Sequence, residues 1–372
     1  MEIKMTSRKR VEAALKHIEP DRTPVFEYVL LSPIASFFLG RRFEDYAGDM
    51  TGWLSMVKEM EWENAVRQYA IDRVELAKML GHDLLYVVPC PGPLASSQKD
   101  NPCALLYMEE GEMEEGEDDP VELIIKRNNL LEQTPLNISD ENYTVYSFIK
   151  EELQKRELDI PILAPAYVHG VWTDVDLMQT MIIEPDIAHK HFTLATNRAL
   201  KYIKKYISLD LDQIGIGGDF AGNRLLISPQ CYREFIVPEV RTLSQYIHKA
   251  GKWSVNASDG NLWEVMGDFL EGCEVDAYLE IDMNAGMDMK RLKAEYGDRF
   301  TLYGNMDCGN MLTYSTPEDI RRFTVECIEA GMGNGGHILC ASNAITGSIP
   351  FKNYLAMVEG YRDYFLLPKI KY

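Results

Sequence analysis

The chain has 372 residues, 46% of them hydrophobic and 10% aromatic, enough to fill the core of one large α/β barrel or of two average domains. With 38 basic against 58 acidic residues its net charge is −20, which argues against binding nucleic acid or anionic lipid, because phosphate neutralisation needs clustered Lys and Arg. The seven cysteines (Cys90, Cys103, Cys231, Cys273, Cys308, Cys327, Cys340) are odd in number and lack any Cys-x-x-Cys spacing, as expected of reduced thiols. The first residues lead into an amphipathic pattern rather than an apolar leader, and no run approaches about 18 apolar residues. A cytoplasmic protein without a membrane partner is expected.

In chain order, Thr6 or Ser7 caps a helix to about His17, stopped by Pro20, and Thr23–Val29 comes next as a strand. Helical patterns over about 50–80 lead to a short apolar strand at 83–89, ended by prolines. Residues 100–145 interrupt the rhythm with eight acidic residues between Glu109 and Asp119, the pattern of a solvated loop or β-hairpin insertion. Regular alternation then sets in. Strands are expected at 160–165, 213–219, 252–255, 275–280, 300–305 and 337–340, with long helices over about 184–207 and 229–250, the latter closed by Gly251. Counted from Val25 there are eight strands alternating with helices, the pattern of a single (β/α)8 TIM barrel over 1–372 with an N-terminal helical extension and the acidic insertion.

Catalytic groups of such barrels lie just past the C-terminal ends of the strands, which selects Glu27, His169, Asp219, Asp259, Glu280, Asp307, Ser342 and Asn343, with Asn256 as a neighbouring amide. Asp219 and Asp259 lead as acid, base or oxygen ligand. Each also suits a plainer role, Asp219 as a loop cap and Asp259 as a turn or helix cap in Ser258-Asp259-Gly260-Asn261. Glu27, Glu280 and Asp307 face either a barrel mouth or a solvated loop. Gly215-x-Gly217-Gly218 is not followed directly by a helix, so it reads as close backbone approach rather than a dinucleotide loop. Hydrolase elbows, phosphate loops and His-Glu-x-x-His are missing from the sequence.

The run Met5-Thr6-Ser7-Arg8-Lys9-Arg10-Val11 through Pro20-Asp21-Arg22-x-Pro24-Val25 resembles the N-terminus of the uroporphyrinogen decarboxylase superfamily. Gly218-Asp219, Leu226-Ile227-Ser228-Pro229, Gly251-Lys252, Ser258-Asp259-Gly260-Asn261, Met287 to Lys293, Tyr303 to Asp307 and Gly335 to Leu339 extend the resemblance over nearly the whole chain. It implies a (β/α)8 barrel. Porphyrinogen decarboxylases of the family carry an arginine-containing segment after the first strand, where this chain has Glu27-Tyr28-Val29-Leu30-Leu31-Ser32; a polycarboxylate substrate needs those arginines. The chain is more similar to the corrinoid-dependent methyltransferase branch. Members of that branch that methylate a thiol hold zinc through a His-x-Cys pair and a later Cys, at positions that correspond to Ala257, Asp259 and Asn343 here. With those soft ligands gone, zinc and any other metal stay open.

The resemblance thus implies a methyltransferase that takes a methyl group from a small molecule such as an aryl methyl ether and delivers it to cob(I)alamin on a partner corrinoid protein. In that reading Asp219 and Asp259 are catalytic and Glu27, His169, Asn256, Glu280, Asp307 and Asn343 surround the substrate. A methylcobalamin-to-thiol methyltransferase, a decarboxylase of a smaller substrate and a catalytically silent binding barrel remain as alternatives.

Overall fold

A computed structural model describes residues 5–96, 119–134, 136 and 139–370. Its centre is a curled, all-parallel sheet of seven strands in sequence order: β1 (Leu85–Tyr86), β2 (Ile162–Pro165), β3 (Gln213–Gly217), β4 (Trp253–Ala257), β5 (Ala277–Leu279), β6 (Thr301–Tyr303) and β7 (His337–Ile338). Nearly every strand residue is buried, as expected when helices cover a parallel sheet. Eight strands were expected, and the first is reduced to one residue. Val25 makes a single parallel bridge to Leu339, just past β7, and its carbonyl accepts the Asp83 N–H, just before β1, at 2.7 Å. Pro24 has no N–H to offer, so the ladder cannot lengthen on its N-terminal side, and on the other the Ala341 N–H goes to the Glu27 side chain instead.

Register decides where the strand ends fall. Gly217 pairs with Ala257, and Ala257 with Leu279, so β3, β4 and β5 end at one level. Residues just beyond those ends are therefore delivered to one place.

The helices match the sequence reading closely, with local departures. Thr6 caps the helix Ser7–Leu15 by accepting the Lys9 N–H at 3.3 Å, and the long helix runs Pro185–Ser208. The 50–80 stretch is two helices, Met50–Met60 and Trp62–Leu80, broken at Glu61, whose φ is +66°. The stretch over 229–250 contains a widened turn at Tyr232–Ile236 before Val237–Lys249, and Gly251 takes its left-handed position as expected.

The insertion is where the reading departs most. Its acidic run lies outside the described residues except for Asp119, and the chain beyond Asp119 is helix rather than hairpin: Pro120–Gln133 and, after a short 3-10 turn, Thr144–Lys155. Asp119 accepts the Val121 N–H at 2.8 Å with Pro120 in the first turn, a start signal that the neighbouring acidic run obscured. The helix docks through Asn128, whose amide donates to the Ile187 carbonyl at 3.1 Å and whose oxygen lies 2.9 Å from His191 Nδ1. Among the described residues no helix is long and apolar enough to cross a membrane.

Candidate active site

Three carboxylates emerge past the level strand ends. Asp219 stands two residues after β3, Asp259 two residues after β4, and Glu280 directly after β5 with φ +77°. One oxygen from each lies within 4.8 Å of the others. The Asp259 N–H donates to Asp219 Oδ1 at 2.9 Å, and Asn343 Nδ2 donates to Asp259 Oδ2 at 2.8 Å. Asn343 is itself oriented by its Oδ1, which accepts the Ala344 N–H at 2.6 Å.

Glycine makes this approach feasible. The loop after β2 closes onto the loop after β3, with the Val171 and Trp172 N–H groups both donating to the Asp219 carbonyl at 2.8 and 3.0 Å. A Cβ on Gly218, at φ +144°, would lie 2.4 Å from the Gly170 nitrogen, where only backbone could yield. Gly218→Ala is therefore expected to cost about 1–3 kcal/mol in chemical denaturation, well above an exposed Gly→Ala change. A cost indistinguishable from zero would mean that the two loops are not locked.

Burial raises all three acids. Asp219 is pushed above its usual range by burial, against the pull of the Asp259 N–H and the Ser258 hydroxyl. Asp259 is pushed up to about 7 by burial and then by the charges of Asp219 and Asp282, against the Asn343 amide. Glu280 rises well above its usual range, again by burial first and then by Asp219 and Asp259. A carboxyl with a raised folded pKa weakens the fold where it must ionise. In chelator-treated protein, stability should accordingly rise as pH falls from about 7 towards about 4, the unfolded value for Asp, and Asp259→Asn should flatten that slope. Melting temperatures across this window would test it; an equal slope in both proteins counts against a strained acidic cluster.

Of the residues singled out in the sequence, the fold thus brings Asp219, Asp259, Glu280 and Asn343 together. The hydrogen bonds of the other five run elsewhere, Ser342 Oγ to Cys308, although Glu27 Oε1, His169 Nδ1 and Asn256 Oδ1 are buried without a partner. Glu27 is buried, accepts the Ala341 N–H at 3.1 Å, and is pushed up to about 8 by that burial. His169 is fully buried with Nε2 2.9 Å from the Thr196 hydroxyl on the covering helix, and burial lowers its pKa to about 3, so it is neutral. Asn256 turns to the helical layer, donating to the Phe269 carbonyl at 2.9 Å. Asp307 caps the short helix Met311–Tyr314 and accepts from Asn284 Nδ2 at 2.8 Å.

Two neighbours were not anticipated. Tyr28 is buried and its hydroxyl, which makes no hydrogen bond of good geometry, lies against Glu280 and towards Asp259. Cys308 lies 3.4 Å from the Ser342 hydroxyl, beside Asn343. The one signal for Tyr28 was its place immediately after Glu27 at the end of the first strand.

A parallel α/β sheet with an acidic site past its C-terminal strand ends defines the class, and comparison with known proteins narrows it. The uroporphyrinogen decarboxylase (URO-D) family model matches residues 161–364, more than half of the chain, and the chain belongs to that family. The uroporphyrinogen decarboxylase of Coxiella burnetii (strain RSA 493 / Nine Mile phase I) is 22% identical over 187 residues, 49% of this chain and 48% of that protein. The one from Psychromonas ingrahamii is 26% identical over 187 residues, 48% and 49% of the two chains. The chain thus spans about half the length of the curated relatives it matches. A methyltransferase from Methanosarcina mazei superposes with a TM-score of 0.67 at 17% identity, covering 97% of this chain and 100% of that one, a likeness of fold.

Zinc held by soft ligands does not suit these residues. Ala257 offers a methyl group, Asp259 a carboxylate and Asn343 an amide, none of them a thiolate or imidazole. Among the described residues the group of His, Cys, Asp and Glu that converges closely enough to hold a cation is Asp219, Asp259 and Glu280.

Proposed function

We propose that this chain is the methyltransferase of a corrinoid-dependent demethylation system, moving a methyl group from a methylated small molecule, such as an aryl methyl ether, to cob(I)alamin on a separate corrinoid protein. In this reading the domain is a (β/α)8 barrel, its ring completed by the Val25 segment between β7 and β1, and the donor sits at the mouth. The observation that carries the reading is the convergence of Asp219, Asp259 and Glu280, with Asn343 on Asp259, where the similar thiol-methylating enzymes keep soft zinc ligands.

The reduced corrinoid supplies a strong nucleophile, so no thiol has to be activated. As the methyl carbon is taken, its bond to oxygen breaks and both electrons stay with the oxygen, which departs with a negative charge. That oxygen needs one positive equivalent at its site of departure. Asp219, Asp259 and Glu280 hold that equivalent between them, Asn343 keeps Asp259 turned towards it, and Tyr28 lies beside Glu280. The test is incubation of the full chain with reduced corrinoid protein and a panel of methylated aromatics and amines. Methylcobalamin formed with one donor class is the expected result; none formed with any donor overturns the reading. The curated relatives favour a second reading, decarboxylation of a smaller substrate, and release of carbon dioxide without corrinoid would replace the first with it.

A further inference from the structure

Like charges this close are costly unless something positive lies between them, yet hydrogen bonds fix two of the three carboxylates in place. Asp219 is held by the Asp259 N–H and Asp259 by the Asn343 amide. The spacing indicates what fits. A hard divalent cation binds oxygen at roughly 2.0–2.6 Å, so ligand oxygens on opposite sides of one ion lie about 4–5 Å apart. Oxygens mutually within 4.8 Å match a single bare ion.

A second observation points the same way. Tyr28 is 8% exposed, and its hydroxyl, which makes no hydrogen bond of good geometry, lies against Glu280, whose pKa that contact lowers, and towards Asp259. A buried phenol whose hydroxyl lies against the carboxylates without a bond of good geometry is a further oxygen donor within reach of an ion held there. The set is all oxygen, which selects the hard end of the divalent series.

We propose that Asp219, Asp259 and Glu280 bind one hard divalent cation, of the Mg2+, Mn2+ or Ca2+ type, with the Tyr28 hydroxyl facing the same ion. The site differs in ligand chemistry from a thiolate–imidazole zinc centre and draws one residue each from the ends of β3, β4 and β5. It stands independently of the methyl-transfer reading, since the experiment reads the cation rather than turnover.

The full chain, stripped with EDTA and dialysed, would be titrated with Mn2+ while the free ion is followed by electron paramagnetic resonance, with Mg2+ and Ca2+ as competitors. One Mn2+ per chain is expected, with a dissociation constant below about 1 mM. Asp259→Asn and Glu280→Gln should each weaken binding at least about tenfold and abolish the Mn2+-induced rise in melting temperature. Both changes relieve repulsion, so the stripped variants should melt no lower than the stripped parent. Should either fail to fold, Fe2+ with ascorbate on the unaltered chain gives a second readout: backbone cleavage should map near 219, 259 and 280. No saturable binding, binding unchanged in both variants, or cleavage confined to other places overturns the proposal.

Discussion

Replacing Asp259 by Asn is expected to lower the proposed methyl transfer to the corrinoid by at least about 100-fold while leaving the protein folded. Three observations converge on this residue. Its carboxylate lies at the meeting point with Asp219 and Glu280, its N–H orients Asp219, and its Oδ2 takes the Asn343 amide. The substitution keeps size and the backbone bond to Asp219 but removes the negative charge that, in the proposed reaction, retains a positive equivalent beside the departing oxygen. Because an amide at 259 no longer repels its neighbours, the melting temperature should hold or rise, which separates lost chemistry from lost structure. Asn343→Ala is the graded companion. It removes only the group that orients Asp259, so a smaller loss, about tenfold, is expected. Single-turnover assays with donor and reduced corrinoid protein would compare the three proteins; an Asp259→Asn enzyme within a few-fold of the parent would show that the chemistry lies elsewhere.

The second large effect lies at the opposite end of the sheet. Asp83 is fully buried just before β1 and accepts from Arg10 Nη1 at 2.6 Å, Arg22 Nη1 at 2.6 Å and Nη2 at 2.9 Å, Ser7 Oγ at 2.9 Å and the Val25 N–H at 3.2 Å. One carboxylate thus joins the N-terminal helix, the Val25 segment and the entry to β1. Asp83→Ala leaves Arg10, itself 4% exposed, with Asp21 as its remaining carboxylate partner, and should cost about 3–5 kcal/mol in urea or guanidinium unfolding. Adding Arg22→Met should restore part of the loss, since the one ion pair of Arg22 among the described residues is with Asp83 and the stranded charge goes with it. A single-variant cost below about 1 kcal/mol would mean that water or another acid takes over the arginines.

The parallel alternation was legible because buried strands such as Ile162–Pro165 and Gln213–Gly217 are short apolar runs separated by helix-length segments. The segment at Val25 looked like a full strand for the same reason, but hydropathy carries no information about how many ladder bonds a proline-flanked run can make. At the site, strand-end position found Asp219, Asp259, Glu280 and Asn343. It also selected Glu27 and Asp307, and it gave no way to see that one oxygen of Glu27 accepts the Ala341 N–H or that Asp307 caps a helix. Those outcomes depend on partners 314 residues away in one case and on local turn geometry in the other. His169 reflects a similar gap: the loop position was right, but Thr196, which lies 2.9 Å from its ring, belongs to a helix whose rotation the sequence does not specify.

The clasp between the loops after β2 and β3 bears on how this scaffold can be diversified. Gly170 and Gly218 sit against each other, both Val171 and Trp172 bond to the Asp219 carbonyl, and the half-exposed Trp172 ring rests over Gly222. The two loops therefore constitute one exchangeable cassette. A graft of either loop alone from a homologue would meet a mismatched partner, whereas transplanting both together carries the lock with it. Libraries meant to alter which molecule enters the mouth should vary the outer face around Trp172 and leave the paired glycines untouched.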